Sequence, residues 1–92
     1  MAVTVKLPTQ LRDAAGGAAT AHVEGSTIGE VLEALYSEHG ELRGRLSDDS
    51  GGLRRFVNVY LGGEDIRFLD GLETPIDDGA EVTILPAVAG GA

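Results

Sequence analysis

Few of the 92 residues are of types suited to chemistry: His22 and His39, a single lysine, the acidic pairs Asp48-Asp49, Glu64-Asp65 and Asp77-Asp78, Arg54-Arg55, and a closing Gly90-Gly91. Catalysis needs two or more groups positioned around a cleft, and this set holds no nucleophile with its base. His22 lies on the polar side of an alternating run and reads as a solvent-face residue. His39 ends a helical stripe, where an imidazole interacts with the helix dipole rather than a metal. The acidic pairs lack calcium-loop spacing and read as solvated loop acids. The glycine pairs at 16/17, 51/52 and 62/63 stand in no phosphate-binding pattern and read as turns. Arg54-Arg55 beside Phe56 reads as rim charges balancing local carboxylates, with a small recognition patch as the alternative. No independent enzyme, metal site or bound cofactor is expected.

Gly90-Gly91 offers something else. A backbone without Cβ atoms enters channels too narrow for other residues, so an extended tail can carry its terminal carboxylate into another protein's active site. A frayed terminus is the other reading, and the residues alone leave both open. Any such tail needs a domain to hold it. The length suits one small domain, expected over 1–87, with a flexible tail over 88–92.

The composition is that of a folded chain, with 42% apolar and 24% charged residues. Without cysteine there is no disulfide, thiolate or iron–sulfur chemistry, and the chain fits a reducing cytosol. The net charge of −8 opposes binding to nucleic acid or anionic membranes and favours a partner with a basic docking face. No apolar run approaches a membrane span, and no leader is visible, so a cytoplasmic location is expected.

Val3, Val5 and Leu7 alternate with Ala2, Thr4 and Lys6 as a half-buried strand that Pro8 ends. A loop carrying Leu11 and Gly16-Gly17 leads to a second alternation, with Ala19, Ala21 and Val23 on one side, and the two strands form a hairpin. Ile28, Val31, Leu32, Leu35 and Tyr36 then repeat at helical spacing. Thr27 and Glu30 form a capping box in which the carboxylate reaches back to the cap amide. Gly40 is placed to end this helix in the left-handed conformation. A short helical turn holds Leu42 and Leu46, and 48–52 reads as a mobile loop. Phe56–Leu61 is a third strand, with Val57, Val59 and Leu61 on one face and Phe56, Asn58 and Tyr60 on the other. Ile66–Phe68 pairs back as a short strand, and Asp77-Asp78-Gly79 is a turn. Glu81–Ala87 is the last strand, with Val82 and Ile84 inward and Thr83 and Leu85 outward. One helix over one sheet makes an α+β roll whose other face meets water.

This order, with the last strand running into Gly-Gly, resembles the β-grasp sulfur carriers, the ThiS and MoaD families related to ubiquitin. Arg55-Phe56-Val57-Asn58-Val59-Tyr60, Glu64-Asp65-Ile66-Arg67 and Val82-Thr83-Ile84-Leu85-Pro86-Ala87-Val88-Ala89-Gly90-Gly91 are similar to the branch serving cysteine biosynthesis in actinobacteria. The terminal run is the most specific of the three. The resemblance implies a ubiquitin-like roll with a mixed four- to five-stranded sheet covered on one face by one helix. It also implies that an E1-like enzyme adenylates the Gly91 carboxylate with ATP and that a sulfur donor displaces AMP, leaving a thiocarboxylate. In that branch the thiocarboxylate attacks an activated serine derivative on a PLP-dependent cysteine synthase, and a metalloprotease releases cysteine.

Carried over by position, Gly91 bears the reactive carboxylate, Gly90 and Ala89 thread the channel, and Leu85, Pro86, Ala87 and Val88 contact the activating enzyme. Phe56, Asn58 and Tyr60 on the outer face are further docking residues; core packing is the alternative for Phe56. Ala92 departs from the family's pattern, because it follows Gly91 and carries the terminal carboxylate; its methyl group clashes where the family's channel admits only glycine, so a protease is expected to remove it first, with an untrimmed residue of no consequence as the other reading. Two other readings use the same fold: a ubiquitin-like protein modifier, and a non-catalytic interaction module that does not need its tail.

Overall fold

A computed structural model describes residues 2–49, 52–55 and 57–86. Strand β1 (Ala2–Lys6) leads through helix α1 (Thr9–Arg12) and a 3₁₀ turn (Asp13–Ala15) to β2 (Thr20–Glu24). Helices α2 (Ile28–Glu38) and α3 (Gly40–Leu46) follow, then β3 (Val57–Leu61) and β4 (Glu64–Asp65). Two 3₁₀ turns (Ile66–Phe68 and Gly71–Glu73) precede β5 (Glu81–Pro86).

The strands form one mixed sheet in the order β2-β1-β5-β3-β4. β1 pairs antiparallel with β2, Val5 facing Ala21, and parallel with β5, Val5 facing Val82. β3 runs antiparallel to β5, Val59 facing Ile84. β5 is therefore the middle strand, held on both sides. The expected roll is present. Val3, Val5, Val57, Val59, Val82 and Ile84 bury one sheet face in the same core as Ile28, Val31, Leu32, Leu35 and Tyr36 of α2. Leu42 and Leu46, expected on a short helical turn, occupy the seven-residue α3 and are fully buried.

Glycine is required at the β3–β4 hairpin. Leu61 faces Glu64 across the two-residue link Gly62-Gly63, which has φ of 59° and 90°. That pair of left-handed residues is the turn whose twist matches the flanking strands.

Several local expectations are corrected. Residues 9–15, read as a loop, are helical, because folding there buries Leu11, Ala14 and Ala15. Ala19 is exposed and precedes β2, and its carbonyl accepts from Leu7 N at 2.8 Å. Thr27 caps α2 as expected, its Oγ1 accepting from Glu30 N at 3.2 Å, but the Glu30 carboxylate accepts from Ser26 N at 2.9 Å, one residue before the cap. Gly40 is not left-handed; it opens α3, and His39, outside the helical region with φ of −134° and ψ of 78°, makes the break. Ile66–Phe68 is a 3₁₀ turn and not a strand, and the short strand is its predecessor, Glu64–Asp65. Asp65 Oδ1 accepts from Arg67 N at 2.8 Å, a side-chain cap that competes with ladder pairing. The described ends of the 48–52 loop are tied together, Asp48 N donating to Gly52 O at 2.8 Å and Gly52 N to Asp48 Oδ1 at 3.1 Å.

Candidate functional site: the root of the tail and the outer sheet face

Of the residues expected to act, Phe56, Ala87, Val88, Ala89, Gly90, Gly91 and Ala92 lie outside the described residues. The structure defines the strand that leads to 87–92 and the sheet face beside it. Alternation along β5 buries Val82 and Ile84 and turns Thr83 and Leu85 to the outer face, where Leu85 is 45% exposed. The register sets Leu85 opposite Asn58 and Thr83 opposite Tyr60, and the last pair is Pro86 with Val57. Asn58, Tyr60 and Leu85 thus share one surface, as expected. An adjoining groove of about 340 Å³ has walls that include Leu7, Pro8, Arg12, Thr83 and Leu85. Lys6, on its rim, pairs with Glu81 at 3.4 Å.

Asn58 is less open than a docking residue was expected to be. Arg67 Nη1 donates to Asn58 Oδ1 at 2.7 Å, and Arg67 Nη2 donates to the Val57 carbonyl at 2.8 Å. Asp65 lies 3.7 Å from the same guanidinium. The residues alone did not single out Arg67. The available signal was Asp65 two positions earlier, a residue type that caps a turn and faces the arginine back toward the sheet.

The remaining candidates serve the structure. His22 is exposed, with Nδ1 3.3 Å from Thr4 Oγ1 on the neighbouring strand. His39 links α2 to α3, its amide donating to Leu35 O at 2.9 Å. Asp78 Oδ1 accepts from Ala2 N at 2.8 Å and joins the turn before β5 to the start of β1. Arg54 Nε donates to the Gly44 carbonyl at 3.1 Å and so braces a loop.

A second hollow of about 320 Å³ lies on the helical side, bounded by Leu32, Tyr36, Leu53 and Leu72. Arg43 forks onto Glu33 at 2.9 and 3.3 Å and stands 4.9 Å over the Tyr36 ring. Burial, and then Glu33, push the Tyr36 phenol from 10.0 up to about 12. The unfolded chain ionises this group first, so its contribution to stability is complete below pH 10 and is lost as pH rises toward 12. Tyr36→Phe is expected to flatten the loss of thermal stability across that interval. A variant whose melting temperature falls as steeply as that of the wild type would show that another group governs it.

Among the described residues no helix is long and apolar enough to cross a membrane. The sequence matches the ThiS family over residues 5–91. It is 50% identical to the sulfur carrier protein CysO of Mycobacterium tuberculosis, over 99% of this chain and 100% of the relative. A chain in the crystal structure of the Amycolatopsis orientalis BexX/CysO complex superimposes with a TM-score of 0.89 at 45% identity, covering 97% of this chain and 99% of that one. Small archaeal modifier protein 1 of Haloferax volcanii gives a TM-score of 0.83 at 30% identity, covering 95% and 98%. With its middle strand leading to Gly90-Gly91 and this likeness running through the sheet and helices alike, the chain belongs to the ThiS family.

Proposed function

We propose that this chain is a sulfur carrier whose Gly91 carboxylate is activated by a separate E1-like enzyme, and that it performs no turnover alone. The observation that carries the reading is the placement of β5. It is the middle strand of the sheet, its outward Leu85 is exposed at the tail's root, and the family match continues through the tail to Gly91. A strand paired on both sides is a rigid anchor for a segment that must be inserted elsewhere.

The chemistry is an activation followed by a displacement. Gly91 carboxylate attacks the α-phosphorus of ATP, forming an acyl adenylate and releasing pyrophosphate. Hydrosulfide adds to the acyl carbon, and the C–O bond to AMP breaks. The products are the thiocarboxylate, AMP and a proton. A free carboxylate is a poor electrophile, and the mixed anhydride makes the attack feasible. On this reading residues 1–87 form the domain and 88–92 the tail; Gly90 and Ala89 thread the channel; and Ala92 is removed beforehand, which agrees with a family match that stops at Gly91. Tyr60, Asn58, Leu85, Pro86, Phe56, Ala87 and Val88 form the docking surface. The likeness to CysO favours cysteine biosynthesis as the destination, with a PLP-dependent synthase as acceptor, a metalloprotease for release and the cytoplasm as the place.

The experiment is intact-mass measurement of the chain before and after incubation with extract of its native host, ATP and sulfide. The expected result is loss of one alanine residue and exchange of one terminal oxygen for sulfur, dependent on ATP. An unchanged mass overturns the reading. The likeness to an archaeal modifier protein supports a second use of the same tail. That use would appear in the same experiment as isopeptide adducts on lysines of other proteins.

A further inference from the structure

The β3–β5 ladder has a weak end, and it is the end from which the tail departs. β4 pairs only with Tyr60 and Leu61, so it does not extend alongside Val57, Asn58 and Val59. The final pair is Val57 with Pro86. In an antiparallel ladder, pairs that exchange hydrogen bonds alternate with pairs that do not. The tight hairpin makes Leu61 bond toward β4, and Gly62 N donates toward β5, to Glu81 O at 3.1 Å. Tyr60 and Asn58 therefore bond toward β5, while Val59 and Val57 bond away from it. The last hydrogen-bonded pair before the tail is Asn58 with Leu85, and ladder ends open most readily.

We propose that Arg67 is a positioning residue for acyl activation, because its guanidinium takes the place of the missing strand at this end of β3. One nitrogen holds the outward Val57 carbonyl at 2.8 Å, and another holds the Asn58 side chain at 2.7 Å. Asp65 fixes the arginine from behind, accepting its backbone amide at 2.8 Å. The planar fork spans two adjacent residues of β3 and so restrains both translation and twist of the strand. The consequence falls on β5. With Asn58 held, Leu85 stays in register, and the direction in which the chain leaves Pro86 is set relative to the outer face. An enzyme that grips this face and receives the tail needs those two features in fixed relation. A displacement of about 1 Å in a reacting group far from the mutated site can cost on the order of 10²-fold in rate.

The inference rests on the carrier reading, and the test separates the two. Initial rates of thiocarboxylate formation are measured by intact mass, over a range of carrier concentrations, in host extract with ATP and sulfide. The chains are wild type, Arg67→Ala, Arg67→Lys, Asn58→Ala and Arg54→Ala, each truncated after Gly91. Amide hydrogen exchange is followed on the same proteins. Arg67→Ala is expected to lower the saturating rate about tenfold with little change in the carrier concentration giving half that rate, as displacement of a bound reacting group predicts. Arg67→Lys keeps the charge and loses the fork, so it should recover less than half of the lost rate. Asn58→Ala should fall between, and Arg54→Ala, whose bond is to the Gly44 carbonyl, should match wild type. Exchange should quicken at Asn58 and Leu85 and stay slow at Tyr60 and Thr83.

Full recovery by lysine would mean that only charge matters and overturns the proposal. So does an unchanged saturating rate in Arg67→Ala, or faster exchange at all four amides together, which would mark a residue of general stability. A wild-type chain that acquires no sulfur overturns the carrier reading and the role in activation with it, while the exchange pattern still decides whether Arg67 holds the end of the ladder.

Discussion

A chain ending at Gly91 is expected to acquire its thiocarboxylate at least about 10²-fold faster than one that retains Ala92, since a reacting group displaced by only about 1 Å already costs on that order. The added residue moves the carboxylate one position along the backbone and places a methyl group where the channel is read as admitting glycine alone. Both changes act on the reacting centre, and neither touches the folded domain, because the described core ends within β5. Gly90→Val in the shortened chain should be equally slow, since a branched side chain blocks threading. The check is the initial rate of mass change for the shortened, full-length and Gly90→Val chains, with a zinc-selective chelator that leaves magnesium on ATP present to stop metalloprotease trimming. Equal rates for the chains ending at Gly91 and Ala92 would remove the need for processing, and a fast Gly90→Val would remove the narrow channel.

Leu35→Ala should have the largest effect on folding. Leu35 is fully buried on the central turn of the α2 stripe, in the cluster that includes Val59 and Ile84. Truncating such a side chain leaves a cavity that the sheet and helix cannot both close, at a cost of about 3 kcal/mol. The whole domain is worth roughly 5–14 kcal/mol at this length. The melting temperature should fall by roughly 15 °C. Phe68 is the contrast: an aromatic side chain 83% exposed on a 3₁₀ turn. Phe68→Ala should change stability by no more than about 0.5 kcal/mol. Thermal melts of the two variants decide the matter, and equal losses would mean that the core is misplaced.

The elements legible in the sequence are those with a local cause. The α2 stripe recurs within one helix, the Thr27 cap acts on an amide three residues away, and the strands of Val3, Val57 and Val82 show their alternation without reference to any partner. The tail was legible as a pair of terminal glycines after a strand, with its use supplied by family resemblance. Asn58 shows where local reading stops. Alternation places it on the outer face, but nothing near it in sequence indicates that Arg67 occupies its side-chain Oδ1.

The sequence by itself determined the buried stripe of the main helix and the inward residues Val3, Val5, Val57, Val59, Val82 and Ile84 of the strands, where the main helix starts, and that a Gly-Gly run follows the final strand. Only the tertiary structure decided that β1 and β5 lie side by side in parallel, 77 positions apart in the chain and joined as Val5 with Val82. It also decided that residues 9–15 coil to cover the core and that Ile66–Phe68 turns away from the sheet and places Arg67 on β3. Periodicity and capping are set by neighbours within a turn or two, whereas pairing order and side-chain bridges depend on which distant surfaces meet when the core closes.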